Sequence, residues 1–118
     1  MPRRSDYVDH VLETLRAFGA VEARSMFGGW GLYHEGLFFA LIIDDALYLK
    51  ADDENVARFE AEGLEPFVYA MKGGENIVMH YRAAPVEALE DPAVMAEWAR
   101  LAYGAALRKA TGKRRPRK

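Results

Sequence analysis

Four groups of residues in this chain have side chains that could do chemistry. The first is acidic: Asp44-Asp45 and Asp52-Asp53-Glu54. Adjacent carboxylates act as general acid and base when their surroundings push their pKa values apart. Both sets also stand where acids are expected for local reasons, the first in a turn between apolar segments and the second at a helix start, where the dipole favours negative charge. The second group is His10, His34 and His80. Zinc needs three or four converging ligands, and these histidines are not spaced as a set. Nor is His34-Glu35 followed by a histidine at metalloprotease spacing. The third is Ser25, a nucleophile only with a base and an orienting partner that the pattern does not supply. The fourth is Gly28-Gly29-Trp30-Gly31. Its Gly-x-x-Gly pattern matches the loop with which one RNA-binding module grips the backbone, but that loop joins helices and has basic neighbours. Here strand-forming residues flank the glycines, Arg24 is the nearest cation, and no helix follows as a dinucleotide fingerprint requires. Glycine in a strand pattern marks a bulge or sharp bend. No catalytic, metal or cofactor site is therefore expected.

These residues ride on a readable series of elements. Ser5 or Asp6 caps a first helix of about three turns, with Val8, Val11, Leu12, Leu15 and Phe18 at helical spacing and Gly19 ending it in a left-handed conformation. Val21–Phe27 is a first strand, and Trp30, Leu32 and Tyr33 resume after the glycines. A turn at His34-Glu35-Gly36 leads into Leu37–Ile43, the most apolar run. Strict alternation puts Leu37, Phe39, Leu41 and Ile43 on one face of it and Phe38, Ala40 and Ile42 on the other. Asp44-Asp45 turns into Ala46–Lys50, and tight turns make these strands antiparallel. A second helix runs from Asp52 or Asp53 to Gly63. Phe67–Lys72 and Asn76–Arg82 form a hairpin about Gly73-Gly74-Glu75. Pro85 begins at most a short helical turn. Asp91-Pro92 starts a last, alanine-rich helix carrying Val94, Trp98, Leu101 and Ala105. Phe59, Phe67, Trp98 and Tyr103 are expected in a core or interface. The expectation is an α+β, two-layer fold: an antiparallel sheet of five to six strands with three helices mainly on one face.

The 118 residues suit one domain. With no cysteine, disulfides, thiol catalysis and Cys-ligated zinc are excluded, compatibly with a cytoplasmic setting. No apolar run of about 18 residues is present, so no membrane span is expected. The net charge of −2 hides an asymmetry. Residues 108–118 hold seven basic groups and no acidic ones, while the other 107 residues hold 9 basic and 18 acidic groups. The domain is expected over residues 1–109, with a basic flexible tail at 110–118. Lys109, Lys113, Arg114, Arg115, Arg117 and Lys118 are the candidates for contact with DNA or RNA; a solvated end that aids solubility is the plainer alternative.

Two apolar faces with helices for one leave Phe38, Ile42 and Tyr48 as a possible dimer face. Either a second copy covers it, or bending at Gly28–Gly31 or the last helix does so within one chain. A pocket lined by Trp30, Tyr33, Tyr48 and Tyr69 would make the domain a small-ligand module instead. A buried, perturbed carboxylate or histidine beside a pocket would make it an enzyme.

An ordered set of short motifs resembles the N-terminal domain of the TfoX/Sxy regulators of competence: Met26-Phe27-Gly28-Gly29-Trp30-Gly31-Leu32-Tyr33, Phe39-Ala40-Leu41 and Asp45-x-Leu47-Tyr48-Leu49-Lys50. Pro66-Phe67-x-Tyr69, Met79-x-Tyr81 and Leu89-x-Asp91-Pro92 with Trp98-Ala99 extend it over about Val8–Leu107. The resemblance implies a two-layer domain similar to secretion chaperones, often dimeric. It also implies a non-enzymatic regulatory role in DNA transformation through protein contacts, with no cofactor. Met26, Phe27, Gly28, Gly29, Gly31, Tyr33, Leu47, Tyr48 and Lys50 are its motif positions. Full-length members carry a second, C-terminal domain where this chain has its basic tail.

Overall fold

The computed structural model describes residues 5–26, 28–71 and 74–111, and of residues 69–79 only the backbone. Phe27, Lys72, Gly73, Lys113, Arg114, Arg115, Arg117 and Lys118 lie outside the described residues, as does the side chain of Tyr69.

Helix α1 (Asp6–Thr14) begins where expected, with Ser5 Oγ accepting from the Val8 amide at 3.2 Å. It buries Val8 and Val11 and tightens into a 3₁₀ turn at Leu15–Ala17. Gly19 follows at φ 154°, positive but far from the left-handed helical value. Strands β1 (Glu22–Met26), β2 (Gly29–His34), β3 (Leu37–Ile43) and β4 (Ala46–Lys50) form an antiparallel meander. Helix α2 (Val56–Ala61) starts later than Asp52 or Asp53. Asp52 instead closes the preceding turn, its carboxylate accepting from the amides of Glu54 and Asn55. Strands β5 (Pro66–Met71) and β6 (Gly74–Ala83) follow, then short α3 (Val86–Glu90) and long α4 (Pro92–Thr111). Asp91 caps α4 by accepting from the Ala93 amide, and α4 passes Lys109 by two residues. The sheet order is β1-β2-β3-β4-β6-β5, so β6 pairs with both β4 and β5. The architecture is α+β in two layers.

The hairpin turns explain the glycine-rich stretch. Met26 pairs with Gly29, so only Phe27 and Gly28 connect β1 to β2, and Gly28 sits at φ 77°. The stretch reverses the chain rather than bulging one strand. Glu35 and Gly36 between β2 and β3, and Asp44 and Asp45 between β3 and β4, are likewise left-handed, as two-residue hairpins of matching twist require. Nothing lies within 4 Å of a Cβ placed on Gly28. Gly28→Val should therefore lose stability through backbone conformation alone, by about 1–2 kcal/mol, and Gly28→Asn by much less. Thermal melts of both variants check this.

The bulge in this sheet lies elsewhere. Leu32 pairs with Ala40 but Tyr33 pairs with Phe38, so Phe39 is an extra residue in β3. It breaks the strict alternation expected for that strand. Phe39, Ala40 and Ile42 all join the core under the helices, with Leu32, Leu47, Leu49, Phe59, Met95 and Trp98. Phe38 and Leu41 turn to the other side, where Leu41 pairs with Tyr48. Ile42 is thus a core residue, 2% exposed, and not part of a face with Phe38 and Tyr48.

Candidate functional site

The side of the sheet away from the core carries one aromatic residue from each of five adjacent strands: Tyr33, Phe38, Tyr48, Tyr81 and Phe67. Register places them there, since Tyr33 pairs with Phe38 and Lys50, two residues after Tyr48, pairs with Tyr81. The rings meet in two groups. Phe38 lies 5.3 Å from Tyr33 and 5.7 Å from Tyr81, and Tyr48 lies 4.7 Å from Phe67. Gly31 makes room for the first group: a Cβ there would collide with Met26 Sδ and stand 3.0 Å from the Phe38 ring.

Two cations stand over these rings. The Arg24 guanidinium lies 4.3 Å from the Tyr33 centroid and bonds Glu22 at 3.3 Å. Lys50 Nζ lies 4.9 Å from the Tyr81 centroid and donates to its hydroxyl at 3.4 Å. Lys50 is only 9% exposed. Its burial and the nearby charge of Lys109 lower its pKa below the ordinary lysine value, against Asp52, which raises it. Burial, with a smaller contribution from Tyr33, pushes the Tyr81 hydroxyl up to about 12.

Lys109 reaches this end because α4 is fastened there. Arg108 makes two hydrogen bonds to the Asp52 carboxylate, at 2.7 and 2.8 Å, and lies 3.8 Å from Glu54. Burial works to raise the Asp52 carboxyl, but the bonds and charge of Arg108, with the amides of Glu54 and Asn55, hold it below its ordinary value. A carboxylate depressed on folding stabilises the protein above its unfolded pKa, and that contribution disappears as pH falls through the folded one. Asp52→Asn should therefore lower the melting temperature at pH 7. Its deficit from the parent chain should close as pH drops below about 4, which melts across pH would reveal.

The remaining candidates are scattered. Ser25 is exposed on β1, opposite Trp30. His10 bonds the Leu89 carbonyl and His34 that of Ala20, while His80 is exposed on β6. Among the described residues, no three His, Asp or Glu side chains converge as a metal site. Trp30 lies on the helix side of β2, opposite to Tyr33 and Tyr48, so those residues do not line one pocket. Trp30 instead borders an open cleft of about 450 Å³ with Ser5, Val8, Gly28, Gly29, Ile42, Asp44 and Asp45. Of the dimer-face candidates, Phe38 and Tyr48 share the open face, Ile42 does not. Lys109 is the member of the basic set that falls within the described residues, exposed near the end of α4. Sequence reasoning missed Arg24, Phe67 and Tyr81 as members of one surface. Tyr48-x-Lys50 and Tyr81 were visible, but their shared side depends on the β4–β6 register, which no local pattern encodes.

A family model described as the TfoX N-terminal domain matches residues 13–106. The DNA transformation protein TfoX1 of Aliivibrio fischeri is 41% identical over 58 residues, which cover 49% of this chain and 28% of that protein. The chain thus matches less than a third of that relative's length. No helix among the described residues is long and apolar enough to cross a membrane.

Proposed function

Because this chain belongs to the TfoX N-terminal domain family, we propose that it is a non-enzymatic regulatory domain of DNA transformation that works by macromolecular contact through the open face of its sheet. The relative named for DNA transformation supports the process. The observation that carries the surface is the row of Tyr33, Phe38, Tyr48, Tyr81 and Phe67 with no described helix over it. Tyr33, Phe38, Tyr48 and Phe67 are half-buried and Tyr81 is 8% exposed, so the row presents partly open aromatic surface of the kind that marks a docking site. Lys109 in the last turn of α4, with the basic residues that follow it in the sequence, adds electrostatic attraction.

The test is genetic. The native gene is replaced by a Phe38→Ser, Tyr48→Ser form, and transformation frequency is measured beside the amount of folded protein. Loss of transformation at normal protein level is expected. Normal transformation with both aromatics gone overturns the reading.

A second reading rests on the cleft of Ser5, Trp30, Asp44 and Asp45. An indole beside two carboxylates suits a small organic cation. Thermal shifts against a panel of amines decide it, and no shift removes it.

A further inference from the structure

We propose that the open face is a stacking platform for single-stranded nucleic acid. This rests on the reading that the domain makes its contact there, and names the partner.

Three features select such a strand. First, five strands spaced about 4.8 Å apart spread the aromatic row over roughly 20 Å, and within it the half-buried Tyr33, Phe38, Tyr48 and Phe67, beside the buried Tyr81, offer the surface on which bases stack in succession. Base-on-aromatic stacking tolerates any sequence. A duplex hides its base faces, whereas a single strand offers them. Second, the charge is segregated. The body outside residues 108–118 is acidic, with 18 acidic and 9 basic groups. Among the described strand side chains, the open face nevertheless carries Arg24 and Lys50 against Glu22 alone, and Glu22 is already paired with Arg24. The acids crowd the other layer, at Asp6, Asp9, Glu13, Glu87, Glu90 and Glu97. Third, the cations are set against rings rather than beside carboxylates alone. Arg24, exposed over Tyr33, pairs a stacking plane with a phosphate-binding charge at the same point, while Lys50, buried over Tyr81, adds its charge from within the row. Lys109, exposed in the last turn of α4, adds its charge close enough to act on Lys50. A phosphate backbone neutralises this cluster. A second copy docked face to face would instead gather two Arg24 and two Lys50 side chains in one interface, with only the two Glu22 carboxylates among the described strand side chains to offset them.

The experiment is fluorescence anisotropy of the full chain with a labelled oligothymidine of about 15 nucleotides and with a duplex of the same length, across salt. The single strand should bind more tightly than the duplex. Tyr48→Ser and Phe67→Ser should each weaken it by about 5- to 100-fold. Arg24→Met should reduce the log–log salt slope by about 0.7. Circular dichroism checks folding, and Phe67→Ser, nearest the sheet edge, serves if Tyr48→Ser does not fold. Equal binding of duplex and single strand, or aromatic variants that bind like the parent, overturns the proposal by leaving only the basic segment in contact. So does sedimentation that finds a dimer dissociated by Tyr48→Ser when no oligonucleotide binds, because the occupant is then a second copy. In either case the face still stands as the contact surface if the variants lose transformation; loss of that phenotype's dependence on the face defeats both.

Discussion

Replacing Phe39 with alanine should cost about 3–5 kcal/mol of folding stability. The residue is fully buried, and its ring lies 5.5 Å from Phe18 and 6.2 Å from Tyr103. One side chain therefore joins β3 to the segment after α1 and to α4. Alanine removes that contact and leaves a cavity that the sheet cannot collapse to fill, since the bulge already fixes the local backbone. Phe38→Ala, one residue earlier, should cost about 1 kcal/mol, because Phe38 is only half-buried on the other side. Urea denaturation of the two variants measures both numbers. Equal losses would mean that Phe38 and Phe39 are not on opposite faces and that the bulge is misplaced.

This pair also shows where sequence reasoning fails. Two helix starts were readable because capping is local: Ser5 before α1 and Asp91-Pro92 before α4 announce themselves within four residues, whereas Asp52 caps a turn ahead of α2. The hairpins were readable because turns leave polar and glycine residues between apolar runs. The number of layers followed from the same elements. Which way each β3 side chain points was not readable. Face assignment in a strand is a parity, and one inserted residue inverts it for everything beyond. Leu37–Ile43 is apolar at every position, so no polar residue reveals where the parity changes. The open face was anticipated as a surplus of apolar surface, yet Ile42 was assigned to it and Leu41 to the core for this reason. The β4–β6 pairing was equally hidden, because more than 20 residues separate Lys50 from Tyr81 and nothing nearby in sequence selects that partner. Without it, Tyr81 and Phe67 cannot be placed beside Tyr48. The basic residues beyond Thr111 are a matter of composition and fall outside the described residues.

Asn55→Ala should be the next most damaging change, at about 3 kcal/mol. The side chain is 3% exposed and satisfies three main-chain groups: its Oδ1 accepts from the Asp52 amide at 2.8 Å, and its Nδ2 donates to the carbonyls of Lys50 at 3.3 Å and Leu101 at 2.9 Å. Alanine leaves all three without that partner in a region that excludes water, and an unmet buried polar group costs about 1–3 kcal/mol, with partial relief by local shifts. Aspartate separates hydrogen bonding from size. It fits the space and still accepts from Asp52, but it cannot donate to two carbonyls, and at neutral pH it sets a buried charge against them. The pKa of an aspartate placed there should be raised by folding, so Asn55→Asp should regain stability as pH falls through that value, the opposite of the parent chain's Asp52. Urea melts of both variants at pH 7 and pH 5 give the sign. The consequence reaches the open face, because the same three bonds tie the end of β4 to the middle of α4. Lys50 ends that strand, and Arg108 and Lys109 lie at the last turn of that helix. A chain that folds with Asn55 lost should therefore hold Lys109 less firmly near Lys50 and bind a single strand less tightly, even though residue 55 touches no part of that surface.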